Sequence, residues 1–181
     1  MKTALDIPLI PSPAHLDKRD GAWEGTAPLA ALTCEIAEGF DAGEFELEIS
    51  ESAIAARAGS DEALVNARLT LEQIAELCRN GEEEHVRIPA LILRDHPRFS
   101  WRGLHIDPCR HFLPMEEVRR IVDVMGLYRL NILHLHLTDD QGWRIEIDGY
   151  PRLTEVAAWR ERTVIGHHNV KDPSADQYLE E

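Results

Sequence analysis

Gly103-Leu104-His105-Ile106-Asp107 and Asn131-Ile132-Leu133-His134-Leu135-His136-Leu137 are the two stretches whose reading decides the fold. Both are short and apolar-rich, as strands buried on a core are. Between them Pro114 stands where the first turn of a helix tolerates proline. Behind it Val118, Ile121, Val122, Met125 and Tyr128 recur at helical spacing, with Arg119, Arg120 and Asp123 largely off that face. Strand, helix and strand within about 35 residues predict a βαβ unit, its two strands parallel neighbours joined by a right-handed crossover. Such a unit leaves apolar helix and strand faces and open strand edges that it cannot cover itself.

Downstream, Tyr150-Pro151 precedes an expected short helix around Glu155 to Arg160, then a polar tail ending Gln177-Tyr178-Leu179-Glu180-Glu181, with His167 and His168 expected at the surface. Upstream the pattern differs. The prolines of Ile7-Pro8-Leu9-Ile10-Pro11-Ser12-Pro13 fix an extended lead-in. A strand is expected over Leu29 to Cys34, and a clearer one over Glu44 to Ile49, where apolar residues alternate with glutamates. Ser60 is a fitting N-cap, followed by Asp61 and Glu62 at the positive end of the helix dipole. Leu64, Ala67, Leu71, Ile74, Ala75 and Cys78 then form an apolar stripe that should stop near Gly81. A short strand with Val86 and Ile88 follows, and Pro89 is expected to place it at a sheet edge. The fold class is therefore α/β: a small α+β domain over residues 1–97, in which no chemistry is visible, then a βαβ segment within 98–181.

Composition narrows the function. Thirty-three acidic against nineteen basic side chains in 181 residues leave a formal charge of −14, which repels a phosphate backbone, so nucleic acid is excluded as a natural partner. Asp6 and Pro8 interrupt any secretory apolar run at the start, and no stretch approaches the ~18 apolar residues of a membrane helix. No membrane association is expected, and the expected location is cytoplasmic. Cys34, Cys78 and Cys109 are odd in number and lack C-x-x-C spacing, which points to buried small side chains rather than a disulfide framework or a zinc site.

Parallel sheets and barrels do their chemistry at the C-terminal ends of their strands. Two such ends are present: Asp107-Pro108-Cys109-Arg110-His111-Phe112 and Thr138-Asp139-Asp140-Gln141-Gly142-Trp143. A guanidinium, carboxylates, an amide and an indole on one rim suit a sugar, whose hydroxyls need paired donors and acceptors. Plainer roles are also open. Arg110 can close a structural ion pair with Asp107, Asp139 can cap its loop, Asp140 and Gln141 can fix the turn, and Trp143 can simply pack. His134 and His136 form a His-x-His pair of the kind that binds metal in amidohydrolase-like barrels, or they are satisfied interior histidines.

Trp101-Arg102-Gly103-Leu104-His105-Ile106-Asp107, then Arg110-His111-Phe112, then the run from Leu133 through Thr138-Asp139-Asp140-Gln141-Gly142-Trp143-Arg144 to Ile147, resemble the opening of the glycoside hydrolase family 20 β-N-acetylhexosaminidase catalytic barrel almost continuously. The Ile-Pro-x-Pro start and Arg87-Ile88-Pro89-Ala90 resemble that family's accessory α/β domain more loosely. The resemblance spans about Ile7 to Arg160. It implies an accessory α+β domain followed by the first βαβ segment of an incomplete (β/α)₈ barrel, which when closed takes about 250 residues. It also implies that Arg110 holds sugar hydroxyls and that Asp139 supports the catalytic centre, with Asp107, His134, His136, Asp140 and Trp143 around them. The implied substrate is an N-acetylhexosamine-terminated glycan or chito-oligosaccharide, with no cofactor and no metal.

In the family the substrate's own acetamido oxygen attacks the anomeric carbon. An adjacent Asp-Glu pair, usually within His-x-Gly-Gly-Asp-Glu, supplies orientation and proton transfer. The only Asp-Glu here is Asp61-Glu62, at the expected helix start, and Asp139-Asp140 does not replace it, because neighbouring strand residues point to opposite faces. The expectation is therefore a chain with sugar-binding residues and no catalytic residues, inactive in isolation. Two alternatives stand beside it: a non-catalytic sugar-binding or interaction fragment, and a metal-dependent amidohydrolase-like barrel using His134 and His136.

Overall fold

A computed structural model of the chain describes residues 8–81, 84–165 and 177–180; His167 and His168 lie outside them. The chain divides into two compact units, Met1–Ser100 and Trp101–Glu181.

The first unit is one mixed sheet backed by a helix. Its strands are β1 (His15–Gly25), β2 (Leu32–Ile36), β3 (Phe45–Ile49), β4 (Ile54–Ala58) and β5 (Val86–Asp95); its helices are α1, a single turn at Pro28–Ala31, and α2 (Asp61–Cys78). The sheet order is β1-β5-β3-β4-β2, with only the β2–β4 pair parallel. The alternation read over Glu44 to Ile49 is present: Phe45, Leu47 and Ile49 are buried and Glu48 is exposed. In α2 the Ser60 hydroxyl accepts from the Ala63 N–H at 3.2 Å, as an N-cap should. Ala67, Leu71 and Ile74 are fully buried against Phe45, Leu47, Ile54, Ile88 and Leu93.

Several expectations are corrected here. The strand expected over Leu29 to Cys34 begins only at Leu32, because Pro28 opens the α1 turn. The strand carrying Pro89 is not at an edge: β5 lies between β1 and β3. Pairing with β3 runs only from Leu91 to Asp95, so Pro89 lies beyond that ladder. On its other side the β1 register is interrupted between Lys18 and Ala22, where Gly21 takes φ +97°. A proline without an N–H is tolerated beside such a bulge. Cys34 is exposed and Cys78 half-buried, so only Cys109 fits the expected buried thiol.

The solvent face of this sheet carries one buried charge. Glu46, 4% exposed, receives Arg57 Nη2 and Arg94 Nε on its two oxygens, each at 2.5 Å. Burial pushes its carboxyl up, but the hydrogen bonds and charges of Arg57 and Arg94 outweigh that and hold it below its ordinary 4.5. A depressed carboxylate contributes stability that is complete above the unfolded value and lost as pH falls through the folded one. The wild-type chain should therefore be more stable than Glu46→Gln at pH 7, with the difference shrinking once pH falls below 4.5. Urea unfolding at a series of pH values checks this, and a constant difference down to pH ~3 would contradict it.

The second unit contains β6 (Gly103–Ile106), α3 (Met115–Leu127) and β7 (Ile132–Leu135), then β8 (Thr138–Asp139), β9 (Gly142–Trp143), α4 (Arg152–Glu155), β10 (Arg162–Ile165) and β11 (Gln177–Glu180). β6 and β7 pair in parallel, His105 opposite His134 and Ile106 opposite Leu135. The expected βαβ unit is present with both strands one or more residues shorter. Pro114 is the N-cap of α3 rather than its first residue. Arg129 closes that helix at φ 60°, with the Leu130 N–H returning to the Met125 carbonyl at 2.8 Å. Of the helix's apolar stripe only Met125 is buried, while Val122 and Tyr128 are 46% and 45% exposed. The helix expected over Glu155 to Arg160 forms one turn earlier, and the expected polar tail includes β11, antiparallel to β10. Among the described residues no helix is long and apolar enough to cross a membrane.

Candidate functional site

The C-terminal ends of β6 and β7 meet. The His136 N–H donates to the Ile106 carbonyl at 3.0 Å, continuing the parallel ladder to the last residue before Asp107. Asp107 then turns the chain: its Oδ1 accepts from the Cys109 and Arg110 N–H groups, each at 3.1 Å. Its Oδ2 pairs with Arg110 Nε at 2.7 Å. After β7, the two-residue strands β8 and β9 form a hairpin, Thr138 opposite Trp143 and Asp139 opposite Gly142. That hairpin brings Asp139 Oδ2 onto Arg110 Nη1.

Arg110 is therefore held between two carboxylates, one from each strand end. The ionic pairing with Asp107 read as a plain alternative is real, and so is a contact with Asp139. The guanidinium is nevertheless 41% exposed on its side chain, and among the described residues its Nη2 has no protein acceptor. A fixed fork with unused N–H donors can bind ligand oxygens.

His136 Nε2 lies 2.7 Å from Asp139 Oδ2 and 2.8 Å from Arg110 Nη1. One ring nitrogen cannot both donate to Asp139 and accept from Arg110. Arg110 has the Asp139 oxygen as its own acceptor, so the consistent arrangement puts the proton on Nε2, donated to Asp139. Asp139 Oδ1 accepts from the Asp140 N–H at 2.7 Å, so the loop-capping role also holds. Hydrogen bonds from Asp140 and His136, with the Arg110 charge behind them, lower the Asp139 carboxyl from 3.8 to about 2. Its charge is therefore complete above 3.8 and lost only as pH falls through about 2.

His134 does not join this cluster. Its ring, exposed, packs against His105 across the β6–β7 pair at 4.7 Å between centroids, and His136 meets the same His105 ring edge-on at 6.0 Å; among the described residues no cluster of potential metal ligands includes His134. Both strand histidines, expected as satisfied interior groups, lie outside the buried core. The residues that do bring ligand atoms within 4.8 Å of one another are Asp107, Cys109 and His136. They fit a metal poorly. Burial and the Asp107 charge push the Cys109 thiol up, its Sγ is spent donating to the His136 carbonyl at 3.1 Å, and Arg110 already neutralises Asp107.

Asp140 is exposed and gives its N–H to Asp139. Trp143 is half-buried and gives its indole N–H to the Ile145 carbonyl at 2.6 Å, so it packs at the rim with its polar tip occupied. Two residues to which the sequence reading gave no role also belong here. Arg144 Nε donates to the Pro108 carbonyl at 2.9 Å with its guanidinium 5.1 Å from the Phe112 ring centre, and Arg160 reaches back to the same loop. No spacing signal links residue 160 to residue 109; only the folded backbone does.

The glycosyl hydrolase family 20 catalytic domain matches residues 99–179. The chain is 40% identical over 137 residues to a beta-N-acetylhexosaminidase of Cellulomonas fimi, covering 75% of this chain and 27% of that protein. It is 34% identical over 155 residues to a beta-hexosaminidase of Akkermansia muciniphila, covering 86% of this chain and 30% of that protein. Among solved structures, the GH20 exo beta-N-acetylglucosaminidase of Vibrio harveyi in complex with N-acetylglucosamine superposes with a TM-score of 0.76 at 30% identity, over 84% of this chain and 29% of that one. The chain thus spans under a third of the length of these relatives.

Proposed function

We propose, from the match of residues 99–179 to the glycosyl hydrolase family 20 catalytic domain, that the chain supplies the sugar-gripping rim of a β-N-acetylhexosaminidase-type hydrolase. Its substrate is a terminal, non-reducing N-acetylhexosamine on a glycan or chito-oligosaccharide. The first unit is read as an accessory α+β domain, and the β6–α3–β7 unit as the first part of a (β/α)₈ barrel.

The observation that carries this reading is Arg110, fixed by Asp107 and Asp139 at two adjacent strand ends, with exposed N–H donors left over. The carboxylates take the side of the guanidinium that would otherwise rotate, and the remaining N–H pair sets the register of two sugar hydroxyls. Asp139, ionised over the working pH range, keeps that grip charged and anchors the His136 imidazole. Asp107 and Asp140 act through the turns they hold. Trp143 walls the rim rather than donating to ligand.

The reaction in this family is retaining and substrate-assisted. Its acetamido-orienting aspartate and proton-transferring glutamate have no counterpart in this sequence, where Asp61-Glu62 stands in the first turn of α2 in the first unit. The 181-residue polypeptide is accordingly expected to bind N-acetylglucosamine and to hydrolyse a chromogenic N-acetylglucosaminide no faster than buffer. Ligand-observed NMR and an absorbance assay on one preparation read the two halves separately. Turnover that depends on Arg110 would overturn the binding-only assignment; absence of sugar binding would remove the rim assignment.

A further inference from the structure

Three consecutive carbonyls, those of Pro108, Cys109 and Arg110, are all taken up by arginine side chains from a later segment. Arg144 Nε takes Pro108 at 2.9 Å. Arg160 Nη1 takes Cys109 at 2.9 Å and its Nη2 takes Arg110. Arg160 Nη1 also takes the Gln141 carbonyl, at 2.6 Å, in the turn of the β8–β9 hairpin. One guanidinium therefore holds both loops, the one bearing Arg110 and the one bearing Asp139. Arg160 is itself placed by its neighbours: the Trp143 N–H donates to the Ala157 carbonyl at 3.0 Å, and Arg144 Nη1 to that of Ala158 at 2.5 Å.

We infer that Arg160 is a positioning residue which sets the separation of Arg110 and Asp139 by bridging the backbone of their two loops. The inference rests on the reading of Arg110 and Asp139 as the sugar grip. Chain sterics alone do not fix that separation, because the hairpin strands are only two residues long and give little ladder to hold the turn. A planar fork reaching three carbonyls at once is a task for arginine; an ammonium offers the charge at a single point.

The group facing the proposal most directly is Asp139, whose low carboxyl titration depends first on Asp140 in the pinned turn, then on His136, then on Arg110. Release of Gln141 and of the Arg110 carbonyl should loosen all three. In the full chain, Arg160→Gln is expected to raise the Asp139 carboxyl titration, followed by carbon-13 NMR, by about one unit toward its ordinary value. It should also weaken N-acetylglucosamine binding about tenfold or more. Arg160→Lys should fall between the wild type and Arg160→Gln in both. Arg68→Gln, on the exposed surface of α2, should change neither.

A purely structural arginine would lower the unfolding temperature and leave the Asp139 titration of the folded protein where it was, and that result overturns the inference. If Arg160→Gln does not fold, Arg160→Lys decides by the same titration: a rise supports the bridging role and an unmoved value removes it. The titration needs no sugar. A chain that shows the rise but binds no N-acetylglucosamine keeps Arg160 as the positioner and discards the sugar-grip reading.

Discussion

Arg110→Ala should reduce N-acetylglucosamine binding below detection while leaving the first unit folded. The substitution removes the cation that pairs with both Asp107 and Asp139, and with it the charge-assisted donors offered to the sugar. Hydrogen bonds to charged groups contribute about 1.5–3 kcal/mol each, so losing two corresponds to a hundredfold or greater weakening, roughly. The two carboxylates would then face each other unshielded, and the Asp139 carboxyl should titrate higher than about 2. Arg110→Lys should not rescue binding, because an ammonium cannot serve Asp107, Asp139 and a sugar oxygen from one fixed plane. Calorimetric titration of both variants beside the wild type reads this; a lysine variant that binds as well as arginine would show that only charge matters there.

Gly59→Ala is expected to be the most damaging single methyl in the first unit. Gly59 joins β4 to the Ser60 cap of α2, and its N–H donates to the Glu44 carbonyl at 3.0 Å. A Cβ there would sit 2.0 Å from the Asp41 carbonyl oxygen and 2.8 Å from that of Phe40. Both obstacles are backbone, so a side-chain rotation cannot relieve them. A loss of about 3 kcal/mol follows from overpacking at a site without slack, which for a unit of this size lowers the unfolding temperature by on the order of 15 °C. Gly126→Ala supplies the opposite sign: it lies inside α3 with nothing within 4 Å of the added carbon, so replacing a helical glycine should stabilise by roughly 0.5–1 kcal/mol. Differential scanning calorimetry of the two variants separates them, and a harmless Gly59→Ala would mean that the Asp41 turn yields.

How far the sequence could be read depended on whether periodicity or tertiary context fixed each element. The alternation over Glu44 to Ile49, the stripe of α2 and the strand-helix-strand around α3 are local patterns, and each forms close to where it was expected. β1 was not legible, because Asp17-Lys18-Arg19-Asp20 runs through it; charges suit an edge strand and mask its alternation. β4 was missed because Ile54-Ala55-Ala56-Arg57-Ala58 has little β-propensity of its own. It becomes a strand by pairing with both β2 and β3. Pro89 misled for the same reason: it marks a bulge in the neighbouring strand rather than the margin of the sheet.

At the site, residue types were only suggestive, and it was the family resemblance that pointed to Arg110, just past β6, and to Asp139, in β8 beyond β7. The contact of their side chains depends on the short hairpin at Thr138 to Trp143, and the anchoring of both loops depends on Arg160, which no local pattern marks. His134 and His136 read alike in sequence. Both rings meet His105, and only the contacts of His136 with Asp139 and Arg110 place it within the cluster.

Arg110, His136 and Asp139 acting as one grip for an N-acetylhexosamine is the central assignment. Titrating isotope-labelled chain with N-acetylglucosamine and following the Arg110 Nε–H, the His136 ring and the Asp139 carboxyl carbon by NMR measures this directly. These three signals are expected to move together along one saturation curve while those of Arg57, Arg94 and Glu46 stay still. Movement confined to the first unit, or no movement at sugar concentrations that saturate related enzymes, would contradict it.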